Sequence, residues 1–244
     1  MTSQRPTQPV RLLLADDHDV VRRGLRDLLA QQNDWEVCGE ATTGRQAVQM
    51  AVNLLPNVAI LDLTMPELNG LEATRQIKKA APSVEVLVFT MHESEQLIRE
   101  VLAAGARGYL LKSDASRYVV AAVEALLQHR PFLTWKASET VLDSFLLAHA
   151  SGEDSSTGDP LTAREREIVQ LLAEGNSSKR IASILGISVK TVDTHRATIM
   201  RKLDAHSIVD IVHYAIRNNL VQPQIGVTVR RRQGRGRAVI GHRR

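Results

Sequence analysis

"VAILDLTMPELNG", residues 58–70, sets a run of four apolar residues before one carboxylate, Asp62, and then breaks at Met65–Pro66. An apolar run without polar alternation suits a strand buried on both faces, as in a parallel sheet. The flanking sequence predicts such a sheet. Apolar runs at Val10–Ala15, Trp35–Glu40, Val58–Leu61, Val84–Phe89 and Gly108–Leu111 alternate with helical periodicity at 18–32, 44–54, 71–80, 95–104 and 115–128. Five strands alternating with five helices, joined by right-handed crossovers, predict an α/β fold with a doubly wound five-stranded parallel sheet. Asp62 falls at the carboxyl end of the third strand, where a charge is costly to bury without a partner.

Doubly wound sheets collect functional groups at the carboxyl ends of their strands. There the first strand runs into Asp16 and Asp17, the third into Asp62, the fourth into Thr90 and the fifth into Lys112. The carboxylates repel one another and call for a cation, and oxygen ligands point to Mg2+. Lys112 adds a second positive charge. The set suits phosphoryl transfer onto Asp62 as nucleophile, with metal and lysine neutralising the oxygens of the transferred group. Thr90 is placed to hydrogen-bond that group, and a shift of Thr90 toward it would open space for the Tyr109 ring. Singly, Asp16 and Asp17 also read as caps of the next helix, Lys112 as a surface lysine and Thr90 as an ordinary strand residue. The order and strand-end placement of the set carry the joint reading.

The 244-residue length favours two small domains over one large one. One cysteine, Cys38, excludes a disulfide framework, fits a reducing compartment and reads as a small core residue. Aromatic residues make up 3% of the chain, too few for a base-stacking platform on single strands, which also weighs against RNA. With neither a signal peptide nor an apolar run of bilayer length, the expected location is cytoplasmic, with no membrane partner. Charge is unevenly spread. Residues 1–149 carry 15 Lys and Arg against 18 Asp and Glu, residues 161–222 carry nine bases against six acids, and the tail 223–244 has seven arginines and no acid. A polyanion partner therefore belongs to the rear of the chain.

Residues 131–160 read as a linker: a further amphipathic helix over 129–148, interrupted by Pro131, then the Gly-, Ser- and acid-rich "HASGEDSSTGDP" at 149–160. A small all-α unit of four helices follows over 161–222. Thr162 and Glu165 have capping-box spacing, Gly175 is a stop, and Gly186 forms a sharp turn between Ser178–Leu185 and Val189–Leu203; a last helix spans Ser207–Arg217. This is a compact helix-turn-helix module. Val192, Ile199 and Leu203 form the apolar stripe of its third helix, with His195 on the edge. Lys190, Thr191, Thr194, Ala197, Thr198 and Arg201 occupy the other side, a pattern suited to the DNA major groove and equally to a solvated face. Asp193 is placed to accept from cytosine, or to bond Arg196 or Arg180. His195 reads either as a phosphate donor or as packing at the edge of the core. The tail 223–244 is basic and of low complexity, expected to be disordered when free; it reads either as an electrostatic arm on DNA or as a dispensable extension.

In order, "LLLADDHD", "AILDLTMPELNG", "VLVFTMHES" and "GYLLKSD" resemble the receiver domain of bacterial two-component response regulators, over residues 8–130. That resemblance implies a flavodoxin-like fold and phosphorylation of Asp62 by a sensor histidine kinase. It implies Mg2+ on Asp17, Asp62 and the backbone carbonyl of Thr64, with Asp16 acting mostly through water, and makes Thr90 and Lys112 the switch hydroxyl and phosphate-binding lysine. Asp19 stands where close relatives often carry proline; it is either an extra carboxylate at the pocket mouth or a helix cap. "LTAREREIVQLLAEGNSSKRIASILGISVKTVDTHRATIMRKL" resembles the LuxR-type helix-turn-helix, and its pairing with a receiver is that of NarL/FixJ-type regulators.

The resemblance implies a DNA-binding transcriptional regulator rather than an enzyme. Its recognition helix would be Val189–Leu203, with DNA contacts from Lys190, Thr191, Asp193, Thr194, His195, Arg196, Ala197, Thr198 and Arg201. Unphosphorylated, the receiver would mask that helix; phosphorylation would free it and permit a homodimer, paired through Ser207–Arg217, on double-stranded DNA. RNA polymerase is a further candidate partner. Two rivals are a Mg2+-dependent aspartyl-phosphate phosphatase or phosphotransferase, and a regulator gated by a ligand or partner without phosphorylation.

Overall fold

The computed structural model describes residues 9–134 and 160–222. The first stretch is a parallel sheet with helices on both faces. Its elements are β1 (Val10–Ala15), α1 (Asp19–Leu29), β2 (Trp35–Ala41), α2 (Gly44–Leu54), β3 (Val58–Leu61), α3 (Gly70–Ala80), β4 (Glu85–Thr90), α4 (Glu95–Ala103), β5 (Gly108–Leu111), α5 (Ala115–Leu127) and β6 (Phe132–Leu133). The strand order is β2-β1-β3-β4-β5-β6, so the order reverses at β1 and β3. Ligand crevices open at that reversal, beyond the carboxyl ends of the strands.

The inner strands β1, β3, β4 and β5 are mainly apolar because each face meets its own layer of helices. Leu12, Leu14, Val58 and Ile60 join one core with α1 and α5, while Leu13, Ala15, Ala59 and Leu61 join the other with α2, α3 and α4. Successive residues of a strand point to opposite faces, so both registers must be apolar.

The sheet has six strands, not the five that the sequence predicts. His129 takes a positive φ of 55° and Pro131 cannot continue a helix, so the chain turns back after α5. The Phe132 amide donates to the Arg107 carbonyl at 2.9 Å, and β6 pairs in parallel with β5. Phe132 then lies 6.4 Å, ring to ring, from Tyr118. The beginning of the expected linker helix is thus an edge strand. The rest of that helix, the acidic linker and the Arg-rich tail lie outside the described residues.

The second stretch is helical: α6 (Ala163–Ala173), α7 (Ser178–Leu185), α8 (Val189–Lys202) and α9 (Ile208–Arg217). Thr162 and Glu165 form the reciprocal capping box at the start of α6. Gly186, at φ 63°, closes α7 in the left-handed region, and the Ser188 hydroxyl caps α8 by accepting from the Thr191 amide. Ile168, Leu171, Ile181, Val192, Ile199 and Ile211 fill its separate core.

Candidate functional site

Asp62 follows directly on β3, and its amide donates to the Ala15 carbonyl at 2.8 Å, which locks its position to β1. The loop behind it is tightly packed: a Cβ on Gly70 would lie 2.0 Å from the Asp62 carbonyl oxygen. Asp16 and Asp62 are each 1% exposed. Lys112, just past β5, places its Nζ 2.7 Å from Asp16 Oδ2 and 3.0 Å from Asp62 Oδ2. Thr64 Oγ1 lies 3.5 Å from Asp62 Oδ2. Thr90 is fully buried, and its Oγ1 accepts from the His92 amide at 3.1 Å. The Tyr109 ring is already inside, 1% exposed, with its hydroxyl donating to the His92 carbonyl.

Burial pushes the Asp62 carboxyl up to about 6, with Asp16 and Asp17 adding to the rise and Lys112 opposing it. Burial works to lower Lys112, but Asp62 and Asp16 outweigh it and hold the ammonium above the usual lysine range. Asp16, Asp17, His18 and Asp62 offer ligand atoms that all lie within 4.8 Å of one another. Asp62 Oδ1 is buried and accepts no hydrogen bond among the described residues. An orphaned carboxylate oxygen inside an acidic cluster fits a hard divalent cation.

Two residues beside the pocket escaped sequence reasoning. His18 Nδ1 lies 3.2 Å from Asp16 Oδ1 and 2.8 Å from Asp17 Oδ1. Arg22 donates to the Asp16 carbonyl at 2.7 Å and pairs with Asp19 and Glu40. Asp19 is accordingly held by Arg22, four-fifths of whose side chain or more is buried, rather than by the carboxylate cluster. His18 was legible only as a neighbour in "DDHD".

On α8, Lys190, Thr191, Asp193, Thr194, Ala197 and Arg201 are exposed, His195, Arg196 and Thr198 are half-buried, and Val192 and Ile199 face the core. Asp193 Oδ1 accepts from the Ser178 hydroxyl at 2.8 Å, and Arg196 donates to the same Ser178 oxygen at 3.1 Å. Asp193 and Arg196 are therefore joined through α7 by Ser178, which the sequence reading passed over. Thr194 and Thr198 return their hydroxyl protons to the carbonyls of Lys190 and Thr194. Lys190 and Arg201 make no ion pair among the described residues.

The two units meet, and the docked element is α6, not α8, the expected recognition helix. Glu167, 7% exposed, accepts from Arg45 at 2.9 Å and Gln76 at 2.8 Å on the sheet unit and from its own Arg164 at 2.8 Å. Gln170, 1% exposed, accepts from the Asn69 amide at 2.8 Å and donates to the Met65 carbonyl at 2.9 Å. Glu174 accepts from the Glu67 amide at 3.1 Å, and Arg166 reaches Glu72 at 3.4 Å. Gln222 adds a contact to Thr64. The expected masking of α8 is thus replaced by a grip on the loop that follows Asp62. The reason is chemical: this loop leaves the Met65 carbonyl and the Glu67 and Asn69 amides in need of partners, and α6 supplies them.

Comparison with known proteins agrees with both units. Residues 12–124 match the response regulator receiver domain, and residues 159–215 match the luxR family of bacterial regulatory proteins. The oxygen regulatory protein NreC of Staphylococcus epidermidis is 37% identical over 217 residues, covering 87% of this chain and all of NreC. The transcriptional regulatory protein LiaR of Bacillus subtilis is 40% identical over 212 residues, covering 87% of this chain and 99% of LiaR. Among solved structures, the response regulator RcsB in a complex with DNA superposes with a TM-score of 0.53 at 27% identity, over 84% of this chain and 97% of RcsB. The chain belongs to the two-component response regulators of the NarL/FixJ type, with a receiver domain followed by a LuxR-type DNA-binding domain. No helix among the described residues is long and apolar enough to cross a membrane.

Proposed function

We propose that this protein regulates transcription under control of a sensor histidine kinase, which phosphorylates Asp62. The observation that carries the reading is the convergence of Asp16, Asp17, Asp62, Thr90 and Lys112 at one end of the sheet, with Lys112 bridging two buried carboxylates. Asp16, Asp17, Asp62 and the Thr64 carbonyl would hold Mg2+, which when bound offsets charge on the oxygens of the transferring phosphoryl group. Asp62 attacks phosphorus in line, and the histidine nitrogen of the kinase departs with the electron pair of the broken P–N bond. Lys112 then neutralises the new phosphoryl group, and the Thr90 hydroxyl is drawn toward it. Phosphorylation favours one of two states of the pocket and its loops.

On the output side, exposed Lys190, Thr191, Thr194, Ala197 and Arg201 would face the major groove of double-stranded DNA, with half-buried Thr198 and His195 at the margin. Asp193 and Arg196 act chiefly in holding α8 to α7. Exposed Ile208 and Val209 on α9 offer an apolar face for a second copy, and RNA polymerase is a further partner at the promoter. The pocket chemistry is directed at the protein's own aspartate, and its setting is cytoplasmic.

The test is Mg2+-dependent labelling by a small phosphodonor, with mass spectrometry locating the phosphate. Labelling on Asp62, lost in Asp62→Ala, is expected; a wild-type chain that takes no phosphate would refute the mechanism and favour gating by a ligand or partner. Multiple turnover on a small phosphate ester would instead make the protein a phosphatase.

A further inference from the structure

Gln222 comes from the far end of the chain, yet it sits at the mouth of the Asp62 pocket. It lies two residues beyond Leu220, which is 5% exposed in the core of the helical unit and whose amide donates to the Ala215 carbonyl at 2.8 Å. That anchor fixes where Gln222 emerges. Its Nε2 donates to Thr64 Oγ1 at 2.7 Å and lies 3.2 Å from His92 Nε2.

Both partners belong to the switch machinery. Thr64 is two residues beyond Asp62, with its Oγ1 3.5 Å from Asp62 Oδ2. His92 is two residues beyond Thr90; its amide donates to Thr90 Oγ1 at 3.1 Å, and its carbonyl accepts from the Tyr109 hydroxyl. One side-chain amide thereby ties the loop after β3 to the loop after β4, across the space in front of Asp62. Independently, Gln170 and Glu174 hold the Met65, Glu67 and Asn69 backbone of the first of these loops.

We infer that Gln222 is a positioning residue for phosphoryl transfer, acting through Thr64 and His92 to hold both loops in their unphosphorylated arrangement. The inference rests on Asp62 being the phosphoacceptor. A phosphoryl group on Asp62 draws the Thr90 hydroxyl toward it to donate its proton, and that shift pulls Oγ1 away from the His92 amide it now accepts from. Movement of His92 carries its Nε2 away from Gln222, while the new group occupies space beside Thr64. The Gln222 contact and the phosphorylated arrangement oppose each other, and by linkage each weakens the other by the same factor. The end of the DNA-binding domain is in this way a direct reader of the pocket.

The experiment uses the full chain with acetyl phosphate and Mg2+. In the step followed, an Asp62 carboxylate oxygen bonds to phosphorus as the P–O bond to acetate breaks, and acetate leaves with the electron pair. Gln222→Met keeps the length of the side chain and removes its donor. Its initial labelling rate should rise about fivefold, the worth of one neutral hydrogen bond. In a Thr64→Val background, where Gln222 keeps only its His92 contact and no longer bridges the two loops, the same change should move the rate less. Hydrogen exchange at the His92 amide, read by NMR without any phosphodonor, should quicken in Gln222→Met. Equal labelling rates in wild type and Gln222→Met, or the same acceleration in both backgrounds, overturn the inference. If the wild type takes no label, the phosphoacceptor reading falls, and His92 exchange alone decides whether Gln222 holds these loops: faster exchange supports it, unchanged exchange overturns it.

Discussion

Truncating Glu167 to alanine should loosen the grip of α6 on the receiver, and the size of the effect follows from its partners. The Glu167 side chain is 8% exposed and Arg45 26%, with 2.9 Å between Nη2 and the carboxylate. Fully exposed pairs contribute about 0.2–1 kcal/mol and close interfacial pairs about 1.5–7 kcal/mol, so a half-shielded pair shared with Arg164 belongs near 1.5 kcal/mol. Loss of the Gln76 bond adds about 1.5 kcal/mol, because its acceptor is charged. The docking equilibrium should fall by about tenfold in Arg45→Ala and about a hundredfold in Glu167→Ala, at about 1.4 kcal/mol per factor of ten.

The structure supplies its own reporters. The Glu67 and Asn69 amides donate to Glu174 and Gln170 across the interface, so their exchange protection tracks the docked fraction. Protection measured by NMR in wild type, both single variants and the double variant closes a double-mutant cycle with a coupling near 1.5 kcal/mol. Small-angle scattering should show a larger radius of gyration for Glu167→Ala. Unchanged protection of both amides in Glu167→Ala, or a cycle with no coupling, would refute these docking energetics.

Other perturbations probe the pocket, its scaffold and α8. The raised Asp62 pKa, about 6 against 3.8 for a free aspartate, means that the folded chain binds more protons than the unfolded one between those values. Without Mg2+ this group's contribution to stability is fullest below pH 3.8 and is lost as pH climbs to about 6, a span on the order of 3 kcal/mol. Mg2+ selects the carboxylate, so its stabilisation should be larger at pH 7.5 than at pH 5, and Asp62→Asn should flatten that difference in thermal melts; equal Mg2+ effects at both pH values would refute the site. Gly70→Ala places a methyl group 2.0 Å from the Asp62 carbonyl oxygen, and should cost the receiver about 3 kcal/mol or more in urea unfolding. A loss below about 0.5 kcal/mol would mean that the loop yields easily. Lys190→Ala or Arg201→Ala should weaken binding to every DNA sequence alike and lower the slope of log affinity against log salt by about one each. A change confined to one base position would reassign that residue to base reading.

What the sequence disclosed and what it withheld divide by the range over which each pattern is written. The β3 run, the strand-end placement of Asp16, Asp62, Thr90 and Lys112, and the capping box at Thr162 and Glu165 are local, set by periodicity or by spacing within one element, and they were legible. The sixth strand was not, because Phe132 and Leu133 are too short to show a period, and only the turn at His129 makes them an edge. The α6 dock was hidden for a different reason. Glu167, Gln170 and Glu174 read as the polar face of an amphipathic helix, and nothing within 161–222 says that their partners lie some hundred residues earlier. A buried polar face is recognised only when its complement is known, since Glu167 exposed to water and Glu167 bound by Arg45 have the same sequence. The interface is hard to read for the same reason: a helix that docks through Glu167, Gln170 and Glu174 carries the same polar face as one that stands in water. An apolar α6 face would have been easy to find in the sequence; this polar one shows itself only when the Met65 carbonyl and the Glu67 and Asn69 amides are placed beside it.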